Sequence, residues 1–411
     1  MQGKSKPLLR YLQNKLVREV ARNQSFLLLG PRQVGKTTLL GDILRDQASL
    51  LQYNLQDPSL KLNLEKDPGA LIRQVNAKKG HVSVYIDEAQ KIPPLFDAAQ
   101  LLIDQQKATF FFTGSSARKL RRGGVNLLPG RIKSFYLDPL LWGELGLLKK
   151  EEGIKSIPLL LSNINTTHFS ILEAMVYGTL PGMIEKEEKD RQDLIQSYAH
   201  LYIEEEIRAE AFSRNIGAFS RFLELAAVES GTNPNLSKLS QESRVSVPTI
   251  KEYYSILEDT LVIERIDPYI KRARKRILSS SRYYFFDTGV RNALARFPMN
   301  QGLVQVQKGV LFEHVVILEL IRRIRLLKPQ YRIYYWRTSA GAEVDCIIET
   351  ENELIPIEIK SSSQVRSSDL RGLRSFIGDY QDKVKRAFVV TMGERSEKID
   401  NIITTIPWQY L

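Results

Sequence analysis

The sequence predicts an α/β fold built on a doubly wound parallel sheet, and three observations predict it. A short apolar run, Phe26 to Leu29, breaks into Gly30-Pro31-Arg32-Gln33-Val34-Gly35-Lys36-Thr37, and Thr38, Leu39 and Leu40 then open an amphipathic run. A second apolar run, Val82 to Ile86, ends in Asp87-Glu88. Between Ser25 and Thr113, strand-like and helix-like stretches alternate, which is the pattern of crossover βαβ units.

The first stretch fits G-x-x-x-x-G-K-[ST], a loop whose order follows from its chemistry. A buried strand ends, two glycines let the backbone wrap, and successive N–H groups turn toward a phosphate chain. The next helix adds the positive end of its dipole. Gly30 to Thr38 would line the phosphates, Lys36 would reach the β- and γ-phosphates, and the Thr37 hydroxyl would hold Mg²⁺. A chance match in a glycine loop is the competing reading, and the flanking strand and helix signals count against it.

Taken in order, residues 6–22 read as a helix with Leu9, Leu12, Leu16 and Val20 on one face. After the loop, Leu50 to Leu55 is a strand closed by Gln56-Asp57-Pro58, and a helical stretch from Lys61 to Asn76 leads to Gly80. The strand ending in Asp87-Glu88 has the Walker B pattern. Asp87 would hold the Mg²⁺ shell and Glu88 would polarise the attacking water; a solvated acidic strand end is the bland alternative. A third buried strand, Thr109 to Thr113, ends in Gly114-Ser115-Ser116, so Thr113 or Ser115 would supply a polar group between Asp87 and the γ-phosphate. Ser115 is no hydrolase nucleophile, because T-G-S-S-A lacks the G-x-S-x-G elbow.

Together, GPRQVGKTT, YIDEAQKIP, FFFTGSSARKL and GRIKSFYLDPLLWGE resemble the prokaryotic AAA-type P-loop ATPases that carry a C-terminal domain of unknown function, DUF4143. The resemblance covers nearly the whole chain. It implies ATP and Mg²⁺ as ligands, ATP hydrolysis, and a γ-phosphate-sensing or trans-acting role for Arg131; Arg118, in a basic loop, is a weaker match. It also implies a helical lid, matched by Tyr177-Gly178-Thr179-Leu180-Pro181-Gly182 and by the amphipathic run Tyr198 to Ile207, where Glu206 replaces a common aspartate. The expected domains are an ATPase core over 1–147, a lid over 168–215, a winged helix over 216–286 and a nuclease-like domain over 287–411. Residues 149–167 read as a linker.

The winged helix is read from residues. Leu236 to Ser243, a short turn, and a helix from Pro248 to Leu257 fit a helix-turn-helix. Leu261 to Ile266 and the strand at Tyr283 to Phe286 would form the wing. Between them lie Lys271, Arg272, Arg274, Lys275 and Arg276, a cluster suited to duplex DNA. The opposing observation is the recognition helix, Thr249 to Ser255, which is nearly charge-balanced and equally suits protein docking.

In the last third, Asp345, Glu358 and Lys360 match the D-(x)n-E-x-K core of PD-(D/E)XK nuclease-like folds, with Glu313 as the helical acid and Val344 where that motif's proline stands. Two carboxylates would hold Mg²⁺ on a scissile phosphate while the lysine orients water. Glu358 and Lys360 lie two apart, hence on one strand face opposite Ile355, Ile357 and Ile359. The alternative is a structural salt bridge on a sheet face.

The 411 residues suggest several domains, and 43% hydrophobic with 26% charged residues suits a globular protein. No apolar run spans a membrane, Cys346 is the single cysteine and excludes an internal disulfide, and a cytoplasmic location is expected. Histidines 81, 168, 200 and 314 lack metal-ligand spacing. The net charge of +12 favours a polyanionic partner. Three functions remain open: a nucleotide-driven switch on a protein or nucleic-acid partner, an ATP-regulated DNA nuclease or remodelling enzyme, and a docking protein with vestigial ATP binding. Homo-oligomerisation is compatible with each.

Overall fold

A computed structural model describes residues 8–116, 128–149, 157–210, 216–270 and 280–411. They form two compact units, one of residues 1–139 with 255–262 and one of 140–254 with 263–411.

The first unit is built on a five-stranded, all-parallel sheet of β1 (Phe26–Leu29), β2 (Leu50–Asn54), β3 (Val82–Asp87), β4 (Ala108–Gly114) and β5 (Lys133–Tyr136), in the order β2-β3-β4-β1-β5. The interior strands are apolar on both faces because both are covered, as parallel sheets require: every residue of β3 and β4 is buried, whereas the edge strands β2 and β5 keep exposed positions. Phe110 and Phe112 stack on one face of β4 with ring centroids 5.6 Å apart, and Phe96 stacks on Phe112 at 4.7 Å. From β1 the chain winds to β2 on one side and from β4 to β5 on the other. The strand order therefore reverses beside β1, where ligands of such sheets bind, outside the strands' carboxyl ends.

The helices follow their sequence signals with two differences. Helix α1 spans Gln13–Ala21, with Leu12, Leu16 and Val20 buried and Leu9 exposed, so the expected start near residue 6 moves inward. The single helix expected over 61–76 is two, α3 (Pro58–Lys66) and α4 (Gly69–Asn76), because Pro68 cannot continue the first. Helices α2 (Lys36–Leu44) and α5 (Leu95–Asp104) complete the crossovers.

Helices Ile171–Tyr177, Glu188–Glu210 and Ile216–Val228 of the second unit precede two helices joined by a short turn, Leu236–Ser243 and Val247–Asp259, the latter's residues from Ser255 on grouping with the first unit. Asn235 caps the first of these two through Lys238 N–H, and Arg244 turns the chain in the left-handed region. Strands β6 (Ile263–Pro268) and β7 (Arg282–Phe285) pair antiparallel, at the expected wing position. That hairpin is not a free wing: β6 also pairs in parallel with β8 (Arg332–Arg337), which joins it to β9 (Glu343–Glu349), β10 (Leu354–Lys360), β11 (Ala387–Thr391), β12 (Glu397–Lys398) and β13 (Ile403–Pro407) in one eight-stranded sheet. Apart from residues 255–262, the segments expected as lid, winged helix and nuclease-like domain thus share one compact unit, with the β6–β7 hairpin at one edge of the C-terminal sheet. Strands β8, β9 and β10 form a meander, and helix Arg371–Asp379 crosses over to β11, parallel to β10. The helix Gln301–Leu327 buries an ion pair, Arg323 with Glu319, and Glu319 also accepts from Trp142 N–H.

Candidate nucleotide site and a second carboxylate cluster

The glycine loop joins β1 to α2 at the reversal point. Leu137 O lies 2.2 Å from where a Cβ on Gly30 would sit, so only glycine lets the loop leave β1 against β5. Gly35, with φ 91°, makes the left-handed step into α2. Lys36 arches back over the loop, Nζ donating to Gly30 O and Pro31 O at 2.8 Å each.

Asp87, at the carboxyl end of β3, is buried. The Thr37 hydroxyl stands 3.1 and 3.2 Å from its two carboxylate oxygens, with Tyr85 OH 3.1 Å from one of them. Burial, reinforced by the Asp87 charge, pushes the Tyr85 phenol far up and keeps it a donor. Thr113 Oγ1 donates to Asp87 and accepts the Glu88 N–H at 3.0 Å. Glu88 is held in the left-handed region at φ 58°, a costly conformation for a non-glycine residue. Its Oε2 accepts from Ser115 Oγ at 3.0 Å and from Gln90 Nε2, which also donates to Ser115 Oγ at 3.1 Å. Lys36, Thr37, Asp87, Glu88 and Ser115 are thus neighbours at one end of the sheet. A hydroxyl and a carboxylate are hard oxygen donors of the kind Mg²⁺ takes alongside phosphate oxygens and water. Gln90 escaped the reading of the sequence, since nothing in its spacing separates a ligand of Glu88 from an ordinary polar residue after a strand.

Arg131 is not brought to this site. Its carbonyl accepts from Gln24 at 3.1 Å, just before β1, and its guanidinium pairs with Asp104 at 2.6 and 3.0 Å, at the end of the helix that leads into β4. It sits at the amino-terminal end of the strands, opposite the loop, which corrects the expectation that it senses the γ-phosphate within its own chain. Arg118 and the basic residues Lys271, Arg272, Arg274, Lys275 and Arg276 lie outside the described residues.

The four residues of the second constellation do gather. Asp345 Oδ2 accepts from Ile359 N–H at 2.8 Å, Lys360 Nζ donates to Glu358 Oε1 at 2.6 Å, and Glu313 accepts from Tyr284 OH at 2.8 Å. Glu358 Oε2 is buried without a hydrogen-bond partner. Two residues absent from the motif complete the set: Arg282, on the wing strand, pairs with Glu343 and stands 3.8 Å from Glu313, its guanidinium 4.5 Å over the Tyr335 ring. Burial first, then the Asp345 charge, pushes the Glu358 carboxyl up to about 8 and that of Glu313 up to about 7. Burial also raises Asp345. Among the described residues, however, no three carboxylate, imidazole or thiol groups converge on one ion. Arg282 draws Glu313 and Glu343 to itself while Lys360 draws Glu358, so the arrangement does not fit a preassembled metal centre. Of the histidines, His314 is buried with Nε2 2.8 Å from Phe285 O, and burial lowers its pKa to about 3. No helix among the described residues is long and apolar enough to cross a membrane.

Residues 22–146 match an AAA domain, 169–301 a domain of unknown function (DUF8612), and 308–411 the domain of unknown function DUF4143. The single match over 169–301 spans both the expected lid and the expected winged helix. Uncharacterized proteins of Mycobacterium tuberculosis and Mycobacterium bovis are each 26% identical over 396 residues, covering 96% of this chain and 82% of theirs. Among solved structures, a Walker-type ATPase of Pyrococcus abyssi is similar at TM-score 0.47 and 14% identity, over 72% of this chain and 99% of that one. AMPPCP-bound DnaA of Aquifex aeolicus is similar at TM-score 0.26 and 13% identity, over 60% and 86%. The chain thus matches an AAA domain followed by a DUF4143 domain, the combination found in AAA-type P-loop ATPases that carry DUF4143.

Proposed function

We propose that this protein is a Mg²⁺-dependent ATPase that works as a nucleotide-driven switch on a macromolecular partner in the cytoplasm. The observation that carries the reading is the Thr37 hydroxyl set 3.1–3.2 Å from both oxygens of Asp87, beside Lys36 and Glu88. Thr37 and Asp87 would hold the cation, whose chemistry when bound is to neutralise charge on the β- and γ-phosphates. Lys36 would exchange its loop carbonyls for phosphate oxygens, and the backbone N–H groups of the loop would bind the rest of the chain. Glu88 would orient the attacking water and accept its proton, its carboxylate aimed by Ser115 and Gln90. The partner is a protein or a nucleic acid engaged by the helix-turn-helix unit, the net charge of +12 favouring an acidic one. The DUF4143 carboxylates act here as an ion-pair set that fastens β7 and helix Gln301–Leu327 to the sheet, so the nuclease reading ranks second. What favours that second reading is the unpartnered Glu358 oxygen.

The test is ATP hydrolysis by purified protein, with and without duplex or single-stranded DNA at two salt concentrations, with Glu88→Gln as the inactive control. Hydrolysis lost in Glu88→Gln supports the reading, and absence of any Glu88-dependent turnover overturns it. Stimulation by DNA that weakens with salt would make nucleic acid the partner. Metal-dependent cleavage of DNA that vanishes in Asp345→Ala would promote the nuclease.

A further inference from the structure

Arg10 lies before α1, far from any motif, yet it is only 7% exposed. Its Nη1 donates to Val34 O at 2.8 Å and its Nη2 to Asp138 O at 2.7 Å. The two carbonyls belong to the two segments that shape the glycine loop: Val34 is in the loop, and Asp138 follows Leu137, whose N–H bonds Leu29 O at 2.8 Å and whose carbonyl crowds Gly30. Anchoring α1 does not require this contact, because Leu12, Leu16 and Val20 already bury its apolar face. An arginine is an expensive anchor to bury, and an aliphatic side chain would serve more cheaply. What the guanidinium adds is a rigid fork that holds two acceptors at once.

A peptide unit is planar and trans, so its C=O and N–H point in opposite directions. Turning the Val34 carbonyl onto Arg10 therefore turns the Gly35 N–H away from Arg10. The guanidinium fills one side of that peptide, so a phosphate can approach only from the other, the side the N–H faces. We infer that Arg10 is a positioning residue for the phosphate loop: it presets the Val34–Gly35 peptide so that the Gly35 N–H meets the β-phosphate end of the nucleotide. The inference rests on the proposed nucleotide site and adds to it a residue that touches no ligand.

The test uses the full chain as wild type, Lys36→Ala, Arg10→Met and Arg10→Lys, titrated with ADP and with AMP by calorimetry, alongside KM and kcat for ATP and the melting temperature. ADP binding by wild type that disappears in Lys36→Ala establishes the site itself; if wild type does not bind ADP, the nucleotide reading fails and the inference with it. With that control in place, Arg10→Met should weaken ADP and raise KM for ATP by about 10- to 100-fold, the effect of one misaimed hydrogen bond to a charged group. Affinity for AMP, which lacks the β-phosphate, should change by less than about threefold, and Arg10→Lys, which cannot fork two carbonyls at once, should lose ADP affinity by an intermediate factor of about three- to tenfold. Unchanged ADP affinity in Arg10→Met overturns the inference. Equal loss of ADP and AMP with a lowered melting temperature also overturns it, since that is what a general brace would do. Should Arg10→Met not fold, the ADP-to-AMP affinity ratio of Arg10→Lys decides: a ratio shifted toward AMP supports the inference, and an unshifted one refutes it.

Discussion

Replacing Thr113 by valine keeps the shape of a fully buried side chain and removes one hydroxyl, and the structure says what that hydroxyl does. It donates to Asp87 and accepts the Glu88 N–H at 3.0 Å. In Thr113→Val the Glu88 N–H stays buried without an acceptor and Asp87 loses a donor, each costing about 1–3 kcal/mol. The N–H contact also helps to hold Glu88 at φ 58°, a conformation worth about 1–2 kcal/mol of strain. A destabilisation of about 2–6 kcal/mol follows, or roughly 5–20 °C in melting temperature for a unit of this size. Calorimetry is the suitable probe, because Trp142, Trp336 and Trp408 all lie in the other unit and their fluorescence would not report this one. Turnover should fall by about 10- to 100-fold as Glu88 loses its aim, a fraction of the 10²–10⁴ that a positioned base supplies. ADP affinity should stay within about threefold, since Lys36 and the loop N–H groups are untouched, and Thr113→Ser should restore both properties. A Thr113→Val protein with wild-type kcat would refute the reasoning, as would one that loses ADP binding and turnover in equal measure.

Three further outcomes are expected. Arg131→Ala breaks only a surface pair with Asp104, so stability should drop by less than about 1 kcal/mol and turnover at low protein concentration should not change; a loss of turnover that appears only at assembling concentrations would place Arg131 at a neighbouring subunit's site. The Glu358 carboxyl is raised to about 8 from 4.5, so the native state binds its proton more tightly than the unfolded chain. That contribution is complete below about pH 4.5 and is lost as pH rises through 8. Stability in urea should therefore decline between pH 5 and 8 by at least about 1–2 kcal/mol more in wild type than in Glu358→Gln, and parallel pH profiles would contradict the shift. Arg282→Gln leaves Glu343 and Glu313 without their shared cation and should cost about 3–5 kcal/mol. Calorimetry with added Mg²⁺ should recover less than about 1 kcal/mol of this if the cluster is structural, whereas full recovery would mark it as a cation site.

Much of the first unit was legible because its signals are local. The apolar runs of β1, β3 and β4, the two loop glycines and Lys36-Thr37 each mark a place by residue type and short spacing, and a parallel sheet covered on both faces leaves such runs no other use. Pro68 was equally visible and was overrun by a helical pattern that it in fact divides. Arg131 misled because a family likeness carries a residue's role along the chain without saying at which end of a strand that residue falls. Gln90, Arg10 and Arg282 were silent for a common reason: each acts through a contact made only after strands or loops have been brought together, and Arg10 reaches partners 24 and 128 residues away.

Residue type and short spacing suffice to locate the nucleotide loop, the acidic strand end and most of the helix and strand order, because these rest on backbone preferences and on groups a few residues apart. That β4 lies between β1 and β3, so that Thr113 and Ser115 serve the Asp87 and Glu88 carboxylates at the end of the neighbouring strand, follows from the assembled sheet. The folded arrangement also places the wing hairpin at one edge of the C-terminal sheet and pairs Arg282 and Lys360 with the DUF4143 carboxylates. Strand order and long-range charge pairing depend on which surfaces meet, and no stretch of chain carries that information alone.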